Sequence, residues 1–172
     1  MIHGCYGYLN PYLICLQTRS PLSIKDFPLL SDYKDQVRVQ VSIATMNHEL
    51  SRIIEPRVAT PDARFNILSK AKDMGLTTGI IIAPIMPSLK IRPSPSDDLE
   101  EIVKRVSLLK PENIYGECLH TRGSNITELE SMLGESISMG NFDLVMEKKF
   151  HNELKKYGMK GRWWKEHKKV TS

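Results

Sequence analysis

The hydrophobic pattern is clearest in the first half of the chain, where it predicts a strand, a helix and a second strand. Every second residue from 37 to 43 is β-branched and the residues between them are polar, which is the two-residue period of a strand. Thr60 and Pro61 predict a helix start, because a threonine hydroxyl caps free amides and the first turn does not use the donor that proline lacks. Gly75 suits the left-handed position after the last turn, and residues 77–83 form the second apolar strand. The two strands of such a unit are parallel.

Weaker patterns extend this unit in both directions. Before it, we expect a strand over residues 12–18 and a helix or turn over 24–30. After it, we expect a helix over 97–109, capped by Ser96, and a strand over 113–119. Strands that alternate with helices indicate an α/β fold with a parallel sheet or a partial (β/α) barrel, whose functional residues lie at the carboxyl ends of the strands. These ends are Arg19 and residues 42–47, 83–88 and 120–122.

The composition is that of a globular protein of one domain. The chain has 172 residues, of which 41% are hydrophobic and 26% charged, and these values exclude a fibrous or wholly disordered protein. The longest apolar run, residues 80–86, contains a proline and is far shorter than the ~20 residues of a membrane-spanning helix. The sequence has no secretory signal pattern, and its three cysteines form no CxxC pair. We therefore expect a cytoplasmic protein with reduced thiols and no membrane contact.

Basic charge is concentrated in residues 145–172, which carry nine Lys or Arg against three Glu. Apolar residues at helical spacing predict an amphipathic helix over 141–157, and a basic segment with two tryptophans follows it. We therefore divide the chain into an α/β domain, residues 1–140, and a basic helical tail, residues 141–172. The tail could hold phosphates while an indole stacks on a base; the alternative is a solvated helix whose tryptophans pack back onto the domain. The candidate nucleic-acid residues are Lys160, Arg162, Trp163 and Trp164.

Familiar catalytic motifs are missing from the sequence, which has no Walker loop, dinucleotide-binding glycine pattern, serine elbow or zinc-binding histidine pair. His48 and Glu49 make a poor acid–base pair, because adjacent residues on a helix point in different directions. Glu55 and Arg57 flank Pro56, and a rigid turn there could aim the guanidinium at a carboxylate or a phosphate. The alternative for these two residues is an Arg–Glu ion pair that fastens the loop.

Four segments of the chain resemble the latter part of radical S-adenosylmethionine (SAM) proteins of the spore photoproduct lyase-like group. The most specific features are EPR-x₃-P-x₂-R, within residues 53–76, and the A-P-I-x-P strand end, within residues 79–89. The resemblance implies that the four predicted strands are the third to sixth of a six-unit partial (β/α) barrel whose carboxyl-end loops face the cofactor. It covers roughly residues 11–120, and the matching segments are TRSPL (18–22), VQVSIAT (39–45), IIEPRVATPDARFNILSKAKDMGL (53–76) and GIIIAPIMPSL (79–89).

The same resemblance implies part of a SAM-binding site. In similar proteins a basic residue at the end of the third strand and a polar residue on the fourth hold the methionyl carboxylate and the ribose. These positions correspond to Arg19 and Ser42, and the backbone of residues 83–85 would lie against adenine. The alternatives are a surface ion pair for Arg19 and a local hydrogen bond for Ser42. Arg57 and Arg64 match the family's pattern, and the candidate cofactor-binding residues are Arg19, Ser42, Arg57, Ala83 and Ile85.

The CxxxCxxC loop that holds the [4Fe–4S] cluster in similar proteins is not in this sequence. Cys5 and Cys15 have the wrong spacing, so a cluster must be supplied by a partner. In those proteins the reduced cluster cleaves SAM to a 5′-deoxyadenosyl radical that abstracts hydrogen from the substrate, and we expect no such activity from this chain alone. A sheet without its first strands has an exposed edge, so we expect either a complementary N-terminal half or a homodimer through that edge.

Three functions are therefore open. The chain is a fragment or subunit of a radical SAM lyase-like enzyme, in which it contributes to the SAM site and acts in DNA repair. Alternatively, it is a module that binds nucleic acid or a partner without catalysis. The third possibility is an inactive gene remnant.

Overall fold

The computed structural model of the chain describes residues 14–164, and Cys5 lies outside that range. Five strands form one parallel sheet, and their order in the sheet is their order along the chain. This arrangement confirms the predicted α/β fold with parallel strands. The strands are β1 (Ile14–Thr18), β2 (Val37–Ile43), β3 (Thr77–Ile85), β4 (Asn113–Cys118) and β5 (Arg162–Trp163).

Helices occupy the connections between the strands. None of the helices within residues 14–164 has the length and apolar character of a bilayer-spanning segment. In chain order they are a 3₁₀ helix (Pro21–Asp26), α1 (Phe27–Ser31), α2 (His48–Ile54), α3 (Pro61–Asp73), α4 (Pro95–Leu109), α5 (Asn125–Leu133) and α6 (Phe142–Lys156).

The predicted helix boundaries are confirmed with one change. Thr60 caps α3, because its hydroxyl accepts a hydrogen bond at 3.3 Å from an amide of the first turn, and Gly75 follows the helix with a φ of 74°. The cap of α4 is Ser94, so the prediction of Ser96 is wrong by two residues. Pro95 then occupies the first turn, where its missing donor has no cost.

Three elements are not predicted by the sequence pattern. Asn47 caps α2 by accepting a hydrogen bond from the Leu50 amide at 2.8 Å, but polar residues obscure the helical period of this short segment. α5 lies in the weakly patterned residues 121–140 and has no fully buried residue. β5 is only two residues long. Such elements depend on contacts with distant parts of the chain and therefore leave little local signal.

The long helices α3, α4 and α6 pack against one face of the sheet. The β-branched residues of β2 lie in this core with at most 1% of their surface exposed, and the apolar stripe of α4 covers neighbouring strands. Side chains alternate between the two faces along each strand, so the polar residues of β2 point away from the helices. We call this other side the open face; it carries Arg38, Gln40, Ser42, Gly79, Ile81, Asn113, Tyr115 and Glu117.

Residues 141–164 contribute to the same core. The predicted helix over 141–157 is confirmed as α6, and its buried Phe150 contacts the ring of Trp163 with centroids 5.3 Å apart. Gly116 of β4 makes this contact possible, because a Cβ atom there would lie only 2.7 Å from the Trp163 ring. The described part of the predicted basic tail thus shares its hydrophobic core with the sheet.

Candidate functional site

Two arginines and one glutamate connect the carboxyl ends of β1 and β2. Arg19 follows β1, and its guanidinium forms an ion pair with Glu55, which follows α2. The other oxygen of the same carboxylate pairs with Arg64 of α3. Arg64 also donates hydrogen bonds to the carbonyl oxygens of Ala59 at 2.8 Å and Ser42 at 3.0 Å. We call Arg19, Glu55 and Arg64, together with the Ser42 carbonyl, the strand-end network.

The two arginines of this network differ in burial. The side chain of Arg64 is 2% exposed, whereas that of Arg19 is 52% exposed. A buried charge is tolerated only when it is paired and hydrogen-bonded, and Arg64 achieves this with one carboxylate and two carbonyls. The charge of Arg19 is partly hydrated because half of its side chain is exposed, and this half remains accessible to a solute.

Ser42 and Ala83 meet where β2 and β3 end. The Ser42 hydroxyl donates a hydrogen bond to the Ala83 carbonyl at 3.2 Å. The Arg19 ion pair is the alternative that the sequence left open for that residue, whereas the Ser42 bond joins residues 41 positions apart and is not local. Because Arg64 also binds the Ser42 carbonyl, Arg19 and Ala83 are linked by a continuous chain of polar contacts.

The other two candidate cofactor residues lie apart from this chain of contacts. Ile85 is buried in the main hydrophobic core, so only its backbone is suited to a ligand contact. Arg57 is exposed, and its side chain forms no hydrogen bond or ion pair within the part of the chain that is described. The assignment of the five residues to a cofactor site stays a prediction.

A second polar network, absent from the sequence interpretation, fixes the loops after β2 and β3. Asp98, in the first turn of α4, accepts hydrogen bonds from the Thr45 hydroxyl at 2.6 Å and the Met46 amide at 2.7 Å. Arg92 lies 3.5 Å from the same carboxylate and donates to the Pro87 carbonyl at 2.9 Å. Burial lowers the pKa of Arg92, and Asp98 opposes that shift. A single buried ion pair therefore ties both loops to the start of α4.

The open face contains a pocket of about 330 Å³. Sequence reasoning placed a possible site at residues 120–122 but had no signal for the strand residues that form this pocket. At its polar end, Glu117 has a carboxylate oxygen 3.7 Å from both His120 and Arg122. The lining residues are Gln40, Ile81, Tyr115, Gly116, Glu117 and Trp164.

The four candidate nucleic-acid residues have different environments. Lys160 and Arg162 are exposed and line a separate polar pocket. Trp163 is half-buried, and its indole nitrogen donates to Asp143 at 3.2 Å, so it packs back onto the domain. Trp164 is 40% exposed and lines the pocket of the open face. Binding of nucleic acid by these residues stays a prediction.

The described residues do not fit an iron–sulfur cluster. Cys15 lies on β1 and its thiol donates to the Gln40 side chain at 3.0 Å, whereas Cys118 is buried in the helix-covered core. Burial, with a smaller contribution from Asp143, raises the pKa of the Cys118 thiol far above its usual range, which disfavours the thiolate that binds metal. Residues 14–164 contain no group of three His, Cys, Asp or Glu side chains arranged to hold a metal ion.

Two relatives by sequence are longer than this chain. The uncharacterized protein ORF301 of Acidianus two-tailed virus is 45% identical over 152 residues, which cover 88% of this chain and 50% of that protein. An uncharacterized protein of Mycobacterium tuberculosis is 27% identical over 113 residues, which cover 64% of this chain and 32% of that protein. The chain therefore spans half or less of the length of these relatives. No protein-family model matches the sequence.

Two solved structures have a similar fold at low sequence identity. A variant of spore photoproduct lyase with bound AdoMet and dinucleoside spore photoproduct has a TM-score of 0.61 and 11% identity, over 87% of this chain and 49% of that protein. Coproporphyrinogen III oxidase (HemN) from Escherichia coli, a radical SAM enzyme, has a TM-score of 0.61 and 16% identity, over 84% of this chain and 32% of that protein. The fold is radical SAM-like. At these identities the similarity establishes the radical SAM-like fold alone, and it confirms the prediction of a partial barrel.

Proposed function

We propose that this chain forms one side of a SAM-binding barrel in a radical SAM lyase-like enzyme. In this proposal Arg19 holds the methionyl carboxylate, Ser42 contacts the ribose, and the backbone of residues 83–85 lies against adenine. The observation that carries the proposal is the chain of polar contacts from Arg19 to Ala83 across three adjacent strand ends. In open α/β sheets and barrels, ligands bind at these ends.

The chemistry of Arg19 supports its role. Its pairing with Glu55 uses one nitrogen of the guanidinium, which has five N–H donors in a planar fork. A fork of this kind binds a carboxylate through two parallel hydrogen bonds. Glu55 is itself held by the buried Arg64, so the Glu55–Arg19 contact orients the guanidinium before any ligand arrives.

Ser42 has capacity for a ligand in addition to its present hydrogen bond. Its hydroxyl proton is donated to Ala83, which leaves the lone pairs of the oxygen to accept a hydrogen bond from a ribose hydroxyl. The carbonyl of Ala83 likewise has a second lone pair. The exposed Arg57 adds a positive charge that suits an anionic part of the cofactor or substrate.

SAM, when bound beside a reduced iron–sulfur cluster, supplies the hydrogen-abstracting group of this enzyme class. Since the described residues do not fit such a cluster, we propose that a complementary half provides it and lies beside β1. Within residues 14–164, β1 has a neighbouring strand on one side only. Its Ile14 is 58% exposed, and Leu22 and Leu29 in the following helices are 74% and 65% exposed. An apolar flank next to an unpaired edge fits a further strand and helix.

Binding of SAM and of 5′-methylthioadenosine, compared by isothermal titration calorimetry, tests the role of the strand ends. The second compound keeps the adenosine but lacks the methionyl carboxylate. Arg19→Gln should weaken SAM about tenfold and leave 5′-methylthioadenosine unchanged, because a hydrogen bond to a charged group contributes about 1.5 kcal/mol or more. Ser42→Ala should weaken both compounds, since both carry the ribose.

Arg52→Gln is the matched control, because Arg52 is an exposed arginine of α2 outside the strand-end network. It should bind both compounds like the unaltered chain. The proposal is wrong if Arg19→Gln and Arg52→Gln bind SAM equally well, or if Arg19→Gln weakens both compounds to the same extent.

Nucleic-acid binding remains the second candidate function, and the exposed Lys160 and Arg162 favour it. Single-stranded DNA should then bind with an affinity that falls steeply with salt. Replacement of both basic residues by Gln should reduce the slope of that dependence. An unchanged slope would exclude these two residues from the interface.

A further inference from the structure

The pocket of the open face has the composition of a small-molecule site. Its walls are the rings of Trp164 and Tyr115 and the side chain of Ile81, and its polar groups come from Gln40 and Glu117. Mostly apolar walls with a few placed polar groups are typical of ligand pockets. The volume of about 330 Å³ is sufficient for one aromatic ring with a small substituent.

This pocket adjoins the proposed cofactor end of the sheet. Ile81 on β3 is paired in register with Ser42 on β2, and paired residues of parallel strands share a face. A ligand in the pocket would therefore lie beside Ser42. In this respect the inference rests on the proposed function, because the occupant is then the substrate next to SAM.

Trp164 is held in position as one wall. Its backbone N–H donates to the Gly116 carbonyl at 2.9 Å, and its ring contacts His120 edge-on with centroids 5.0 Å apart. Arg122 lies over the ring at 5.5 Å. The side chain is nevertheless 40% exposed, so ring surface remains available for stacking against a flat ligand.

The polar end of the pocket selects the charge and hydrogen-bonding pattern of the ligand. Glu117 accepts hydrogen bonds, but Arg122 lies 3.7 Å from its carboxylate and offsets its charge, which favours an uncharged donor over a cation. Gln40 lies on β2, level with Gly79 and therefore away from Glu117 on β4, and its side-chain oxygen already accepts from the Cys15 thiol. The N–H group of a primary carboxamide is an uncharged donor that suits Glu117.

We propose that this pocket binds an uncharged aromatic ring that carries an N–H donor, as the recognised part of the substrate. Trp164 and Tyr115 stack against the ring. Glu117 accepts from the N–H group of the ligand.

Benzamide is the probe for this pocket, with two matched analogues. N,N-dimethylbenzamide keeps the ring and loses the donor, whereas cyclohexanecarboxamide keeps the donor and loses the aromatic ring. The chain contains two tryptophans, so its two indole N–H resonances in a ¹⁵N-labelled sample separate the pocket from the core. Benzamide should shift the Trp164 resonance saturably and leave that of Trp163, which is bonded to Asp143, in place. Both analogues should bind about tenfold more weakly.

Glu117→Gln should weaken benzamide about tenfold, because it removes the charge from the accepting group. Glu112→Gln, a change of an exposed glutamate just before β4, should have no effect. If Glu117→Gln does not fold, the comparison of the three probes on the unaltered chain tests by itself whether the pocket recognises the ring and the N–H donor.

Equal shifts by all three probes, no saturation, or a response at Trp163 instead of Trp164 would overturn the inference. Titration with SAM separates this result from the proposed function. If SAM binds but benzamide gives no response, the pocket inference alone is refuted. If benzamide binds but SAM does not, the proposed SAM site alone is refuted.

Discussion

Glu55 pairs with two arginines of different burial, so its replacement should affect them unequally. Glu55→Gln keeps the shape of the side chain but removes its charge, and it leaves the buried Arg64 with neutral acceptors only. Breaking a buried ion pair typically costs about 3–5 kcal/mol. Because the carbonyls remain, we expect a loss of about 2–3 kcal/mol in the free energy of unfolding, which lowers Tm by about 4–12 °C for a chain of this length.

Arg19 shares the same carboxylate but is half exposed, so Arg19→Ala should cost less than about 1 kcal/mol. Urea unfolding of the single and double variants gives the two coupling energies directly. We expect more than about 1.5 kcal/mol between Glu55 and Arg64, and less than about 0.5 kcal/mol between Glu55 and Arg19. Glu49→Gln, at an exposed position of α2, serves as the control. The reasoning fails if Glu55→Gln is no more destabilising than this control, or if Arg19 is the more strongly coupled partner.

Three further predictions concern the core, acid stability and the sheet edge. Burial opposes ionisation of Glu153, but ion pairs with Lys149 and Lys156 of α6, each at 2.8 Å, outweigh it and hold the pKa of this carboxyl below its usual range. Stability should therefore fall as the pH drops below about 5, and thermal melts of Glu153→Gln should show a shallower loss over that interval. Gly116→Ala should lower the free energy of unfolding in urea by about 1–3 kcal/mol, because its Cβ would collide with the Trp163 ring. Gly79→Ala should lower it clearly less, since the Cβ at that position would have ordinary contacts of 3.4 Å. Sedimentation should show that the chain associates at high concentration through the edge of β1. Ile14→Lys at this edge should reduce the association, whereas Leu108→Lys, at an exposed apolar position of α4, should not. A chain that stays monomeric at all concentrations would contradict the unpaired edge.

The sequence predicts those elements whose signals are local. The alternation in β2 and the cap at Thr60 lie within the segments they define, so both are confirmed at the expected residues. The strand-end network has no such signal, because Glu55 and Arg64 are nine residues apart and Arg19 is 36 residues from Glu55. Local sequence rules do not distinguish which of Arg57 and Arg64 is buried. The difference arises from the tertiary structure, in which Arg64 lies on the buried side of α3 and Arg57 lies in an exposed turn.

The balance of charge indicates which strand end is suited to an anion. The strand-end network contains two guanidiniums and one carboxylate, so it keeps one positive charge after internal pairing. In the second network, Arg92 and Asp98 neutralise each other, and both are largely buried. The accessible positive charge of the strand-end network attracts an anionic ligand. A ligand that bound at the buried Arg92–Asp98 pair would have to break the hydrogen bonds of that pair. A carboxylate-bearing cofactor should therefore bind at the ends of β1 and β2, and the network around Asp98 should serve to hold the neighbouring loops in place.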